Sequence, residues 1–127
     1  MNLEKVVFAF FIVLALTLNF GFFVGPMDNP GAHAPGELGA ALAVSLIATI
    51  IKFGDRSQLG AVMLATSLVA DLQLVAAALV WAYAAYATEL GATSATLAKV
   101  VALSGGALLA NLVSVTLLVG ETLSIRR

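Results

Sequence analysis

Residues 58–87 read QLGAVMLATSLVADLQLVAAALVWAYAAYA, and Asp71, near the middle, is the only charged residue among them. The run exceeds the ~20 apolar residues that an α-helix needs to cross a ~30 Å hydrocarbon core. A carboxylate at the centre of a membrane helix costs at least ~2.5–3.5 kcal/mol on insertion scales, so it is rare unless it meets water or a partner. Asp71 is therefore the first candidate for a functional group.

The remaining composition agrees with a membrane setting. The chain has 127 residues, 61% of them hydrophobic and 10% charged, with a mean hydropathy of +1.07. Soluble domains carry about 25% charged residues, so the expectation is an integral membrane protein. A net charge of −1 without a Lys/Arg-rich tract argues against nucleic-acid binding. The absence of cysteine excludes disulfides, thiolate metal sites and cysteine catalysis.

Polar punctuation divides the chain into four apolar stretches, at about 6–24, 38–53, 59–86 and 97–119. The first ends at Gly25-Pro26 and the turn-rich MDNPGAHAPG, the second at Lys52-Phe53-Gly54-Asp55-Arg56, and the third at TELGATS. These are turn compositions. The fold expected is all-α: a single transmembrane domain over 1–127, folded as a four-helix bundle. Lys5, Lys52, Arg56, Arg126 and Arg127 fall on one side of this arrangement, and the loops at 26–36 and 88–96 contain no Lys or Arg. The positive-inside rule then places both termini in the cytoplasm. Trp81, Tyr83 and Tyr86, with Phe20, Phe22 and Phe23, lie at the outer ends of spans three and one, as interfacial aromatic belts do. A cleaved signal peptide over 1–25 is the alternative for the first stretch. Its apolar core is too long, its basic region is a single Lys5 beside Glu4, and no A-x-A site follows.

Depth brings the polar residues into register. Asp71 precedes Trp81 by ten residues, or ~15 Å at 1.5 Å per residue, which is the midplane. Asn111 lies twelve residues beyond Lys99, or ~18 Å, within about a turn of Asp71 in depth. Ser104, Asn111 and Ser114 share one helical face, and Ala41, Ser45 and Thr49 form a second small and polar stripe; Asn19 lies further out. The expected polar seam comprises Asp71, Asn111, Ser104, Ser45 and Asn19. Ser, Thr and Asn in membrane helices also serve as interhelical hydrogen-bonding glue worth about 0.6 kcal/mol each. That reading fits Ser45, Thr49, Ser104 and Ser114, while Lys99 reads as a snorkelling interfacial residue.

Gln73 points ~160° from Asp71 around the helix. Polar groups on nearly opposite faces of span three lead to an expected homo-oligomer, with that span between its own bundle and a neighbour. Small residues at Gly36/Ala40, Gly39/Ala43 and Gly105-Gly106 suit close helix packing.

Asp28, Glu37 and Glu89 lie on the outer side, where acids at a mouth would concentrate cations; each also reads as an ordinary loop residue. His33, the sole histidine, reads as a solvated loop residue or a pH sensor. No metal site or cofactor is expected, since closely grouped ligands are absent. Phe53-Gly54-Asp55 matches the end of the potassium-channel filter, T-x-G-[YF]-G-D. The match fails at Ile50 and Lys52, and the segment falls on the wrong side for most such channels.

The segments NFGFFVG (19–25) and KFGDRSQLGAVMLATSLVADLQLVAAALVW (52–81) resemble a family of short bacterial inner-membrane proteins with four predicted helices and no assigned function. The resemblance implies the topology and the membrane; it carries no activity and no site residues.

Among function classes, enzyme is the weakest: there is no Ser/His or paired-carboxylate arrangement and no phosphate-binding glycine motif. The expectation is a small homo-oligomeric cation or proton channel, with Asp71 on the path and Asn111, Gln73, Asn19 and Ser104 beside it. The alternatives are a non-conducting accessory or scaffold subunit of a larger membrane-protein complex, and a dimeric small-molecule exporter built around one membrane acid.

Overall fold

A computed structural model of the chain describes residues 3–24, 35–55, 57–89, 91 and 93–126, the side chains of 35, 125 and 126 apart. The described elements are four helices: α1 (Leu3–Phe23), α2 (Pro35–Lys52), α3 (Gln58–Ala87) and α4 (Ser94–Arg126). α1, α3 and α4 are long and apolar enough to cross a membrane. α2 has 18 residues, about 27 Å of rise. α4 extends well beyond the expected 97–119, because Ser94 to Leu97 and Gly120 to Arg126 continue the helix at both ends.

Successive helices run antiparallel, and α4 closes the ring against α1. The pairs Lys5–Glu121 and Asn19–Ser104 set the α1/α4 register. Each helix buries a stripe at alternating three- and four-residue spacing: Phe8, Ile12, Ala15, Asn19 and Phe22 on α1; Leu38, Ala41, Ser45 and Ala48 on α2; Met63, Ser67, Ala70, Leu74 and Ala77 on α3; Val100, Ser104, Ala107, Asn111 and Ser114 on α4. This is the seam spacing of left-handed bundles. Alanine at so many seam positions lets the backbones approach closely.

The distribution of polarity is inverted relative to a water-soluble bundle. Leu72 is 71% exposed and Ile50 72%, with Leu79 and Leu109 also facing outward, while Asn19, Ser45, Asp71, Ser104 and Asn111 are buried. The interior itself is layered. One apolar cluster, around Phe8, Ile12, Ala48 and Met63, fills the end that holds the N-terminus. Another, including Phe22, Leu38, Leu74, Ala77, Leu97 and Val100, fills the other end.

Three of the expected belt aromatics, Phe22, Phe23 and Trp81, belong to this second plug. Phe22 is fully buried, because 22 continues the α1 core stripe, and its ring centroid lies 5.7 Å from that of Trp81. Phe20, Tyr83 and Tyr86 are exposed at the same end. The Phe23 ring lies over Gly105 of α4.

The α2–α3 turn is held by its own polar groups. Asp55 Oδ1 accepts from the Ser57 backbone N–H at 2.9 Å and from Ser57 Oγ at 2.7 Å. Ser57 in turn accepts from the Gly60 N–H at 2.9 Å and caps α3, satisfying one of the orphan donors of a helix start. A Cβ on Gly60 would fall 2.2–2.5 Å from the Asp55 carboxyl atoms, so this turn requires glycine there. Lys52, only 6% exposed, closes the bundle end: its ammonium lies 4.2 Å from the Phe8 ring centre and 3.3 Å from Asp55 Oδ2. Hydrogen bonds from Ser57, first its hydroxyl and then its N–H, hold the Asp55 carboxyl below the usual carboxylate range, and Lys52 adds to this against a small desolvation effect.

Candidate functional site: a buried carboxyl between two apolar plugs

Asp71 projects into the interior from α3 and is 7% exposed. Its hydrogen-bond partners come from α2. Ser45 Oγ donates to Oδ1 at 2.6 Å, and Thr49 Oγ1 stands 2.5 Å from Oδ2. Serine and threonine one helical turn apart share a face, so the two hydroxyls grip the two carboxyl oxygens separately.

The same Thr49 Oγ1 is 2.9 Å from the Ser45 carbonyl. A hydroxyl has one proton to give, and here two acceptors lie within reach. Thr49 therefore shares its one proton between Asp71 Oδ2 and the Ser45 carbonyl, while Ser45 Oγ donates to Oδ1. Hydroxyl-to-carboxyl bonds this short are among the stronger ones.

The other expected residues divide. Ser104 Oγ donates to Asn19 Oδ1 at 3.0 Å, joining α4 to α1 as the polar seam anticipates. Asn111 lies in the depth range of Asp71, both being bracketed by the Thr66–Ser114 hydrogen bond and the Gln73–Gly106 contact. Asn111 is not a ligand of Asp71, however: it is fully buried, and neither its Nδ2 nor its Oδ1 has a hydrogen-bond partner among the described residues. The reason is rotational: Asp71 turns towards α2, and α4 occupies another side of α3. Asn19 Nδ2 and Ser67 Oγ are buried and unpartnered as well.

Gln73, half-buried, lies over Gly106 of α4, where a Cβ would fall 1.8 Å from Oε1. The two polar groups of α3 thus meet different neighbours, Asp71 α2 and Gln73 α4. Gln73 is therefore not beside Asp71.

Of the acids expected at an outer mouth, Glu37 lies over Gly21 of α1 and Glu89 is exposed in the turn after α3. Asp28 and His33 lie outside the described residues. Lys99 is exposed and lines an outer groove of about 540 Å³ between α3 and α4 with Tyr83 and Thr96. A groove of about 220 Å³ between α2 and α3 is lined by Leu38, Trp81 and Tyr86. Neither is lined by Asp71. Among the described residues no group of three His, Asp or Glu is placed to hold a metal ion.

Sequence reasoning treated Ser45 and Thr49 as packing glue and passed over Ser67. Ser67 precedes Asp71 by one turn, and the seam spacing Met63, Ser67, Ala70, Leu74 is its signal.

Residues 32–122 match the profile of a family of unknown function (DUF6394). The chain belongs to that family. No curated protein and no solved structure matches it.

Proposed function

We propose that this chain is an integral membrane protein that crosses the bilayer four times and passes protons, or another small cation, by way of Asp71. Three helices of sufficient length and apolarity, an outward-facing leucine and isoleucine surface and a polar interior support insertion. The side chains of Lys5 and Lys52 lie at one end of the bundle, and with the positive-inside rule this favours a cytoplasmic placement of that end and of both termini. A bacterial inner membrane is the setting the composition favours. α2 crosses as the shortest span, its end marked by Lys52.

The observation that carries the reading is the pairing of Asp71 with two hydroxyls and no cation. The pathway so placed runs through the interior of one bundle, and the apolar plugs on either side act as its closed gates. An acid held between two dry gates is suited to stepwise proton passage rather than to an open pore.

The same plugs also favour a second reading, a non-conducting subunit in which Asp71 is a structural hydrogen-bonding group within a larger membrane complex. Proton uptake by liposomes containing only the purified chain separates the two. Asp71-dependent uptake supports the first; absent uptake from a folded chain that co-purifies with a larger membrane protein supports the second.

A further inference from the structure

Four buried polar atoms, Asn19 Nδ2, Ser67 Oγ and both amide atoms of Asn111, have no hydrogen-bond partner among the described residues. An unsatisfied buried group is costly, and buried polar groups in native proteins are nearly always satisfied by protein or by ordered water. Three of them, Ser67 Oγ and the two Asn111 amide atoms, share one level of the bundle, and Asn19 lies about two turns away beside Ser104. Ser67 precedes Asp71 by four residues on α3, a separation that makes side chains neighbours. The Thr66–Ser114 bond sets Ser67 beside Asn111 across the α3–α4 seam, and Asn111 lies between Ser114 and Ser104, the latter bound to Asn19. The intervening seam positions are Ala15, Ala70 and Ala107, each occupying a single methyl's volume.

We infer that the Ser67–Asn111 level is a hydration site: internal water held by the Asn111 amide, with Ser67 as its further partner. About one or two waters, at about three hydrogen bonds each, satisfy these three atoms. Apolar layers on either side, with Leu74 and Met63 among their members, confine that water to the level of Asp71. The relay it offers for a proton leaving Asp71 rests on the function proposed above; the hydration itself does not.

The test is water-to-protein polarisation transfer by solid-state NMR on the full chain in lipid bilayers, with asparagine side chains labelled and Asn111 assigned from the signal lost in Asn111→Leu. The Asn111 amide should receive water magnetisation several-fold faster than the backbone amides of Ile12 and Leu74. Transfer as slow as at those two residues overturns the hydration site. In the relay arm, Asn111→Leu should reduce proton flux at least tenfold with the fold retained; unchanged flux overturns the relay. A dry Asn111 alongside persistent Asp71-dependent flux overturns this inference and leaves the proton-binding role standing, whereas a wet Asn111 without any flux does the reverse.

Discussion

Thr49 Oγ1 lies 2.5 Å from Asp71 Oδ2 and 2.9 Å from the carbonyl of Ser45, its own preceding turn. Thr49 is therefore the residue through which the carboxyl is tied to the α2 backbone. Thr49→Val keeps the shape and removes the link. We predict a loss of stability of about 0.6 kcal/mol, the usual value of an interhelical hydrogen bond in a membrane protein, and a much larger loss of proton flux. Unfolding in detergent and flux in liposomes check the two separately.

Asp71→Asn and Asp71→Leu should behave differently as folded proteins. Asparagine keeps the shape of the aspartate, with its carbonyl accepting from Ser45 and its amide donating to Thr49, so its stability should change by less than about 1 kcal/mol. Leucine strands two buried hydroxyls and should cost about 1–3 kcal/mol. Unfolding of both variants in the same detergent tests the difference.

Much of this architecture is legible in the sequence. Apolar run lengths and turn residues locate the four helices, and helical rise alone puts Asp71 and Asn111 at similar depth. The rotation of one helix against another is not written there. Asp71 lies one position past the α3 seam residue Ala70, and that single step turns it towards Ser45 and Thr49 rather than Asn111. Gln73 was equally hidden, because its position depends on the gap left by Gly106 on a helix more than thirty residues away in the chain. Phe22 reads as an interfacial aromatic until the spacing Phe8, Ile12, Ala15, Asn19, Phe22 is seen as one buried stripe.

Gly106→Ala should destabilise the α3–α4 contact by no more than about 1 kcal/mol, the low end of overpacking, because the new methyl displaces the Gln73 carboxamide, the far end of a flexible side chain. Adding Gln73→Ala should recover most of that loss. A double-mutant cycle measured by unfolding in detergent tests the coupling.

The α2–α3 turn predicts a dependence on pH. The Asp55 carboxyl is held below its usual range when folded, chiefly by Ser57, so the folded state binds fewer protons there than the unfolded chain. Its contribution is complete above the ordinary aspartate value of ~3.9 and disappears as pH falls through the lower folded value. Asp55→Asn should flatten this part of the acid-side decline in melting temperature, measured across a pH series.

Ser57→Ala removes both the α3 cap and the principal hydrogen bond to Asp55. A loss of about 1 kcal/mol is expected from the cap alone. Ser57→Asp, which keeps a capping acceptor but brings a second carboxylate to Asp55, should recover only part of it. Thermal unfolding of the two variants beside the wild type checks the order.

The most direct measurement is proton flux into liposomes carrying the purified chain, read by an internal pH-sensitive dye under an imposed potential, with wild type and Asp71→Asn at matched insertion. The account predicts flux in the wild type and its loss in Asp71→Asn, with folding unchanged. Equal flux in both, or none in a folded wild type, would contradict it.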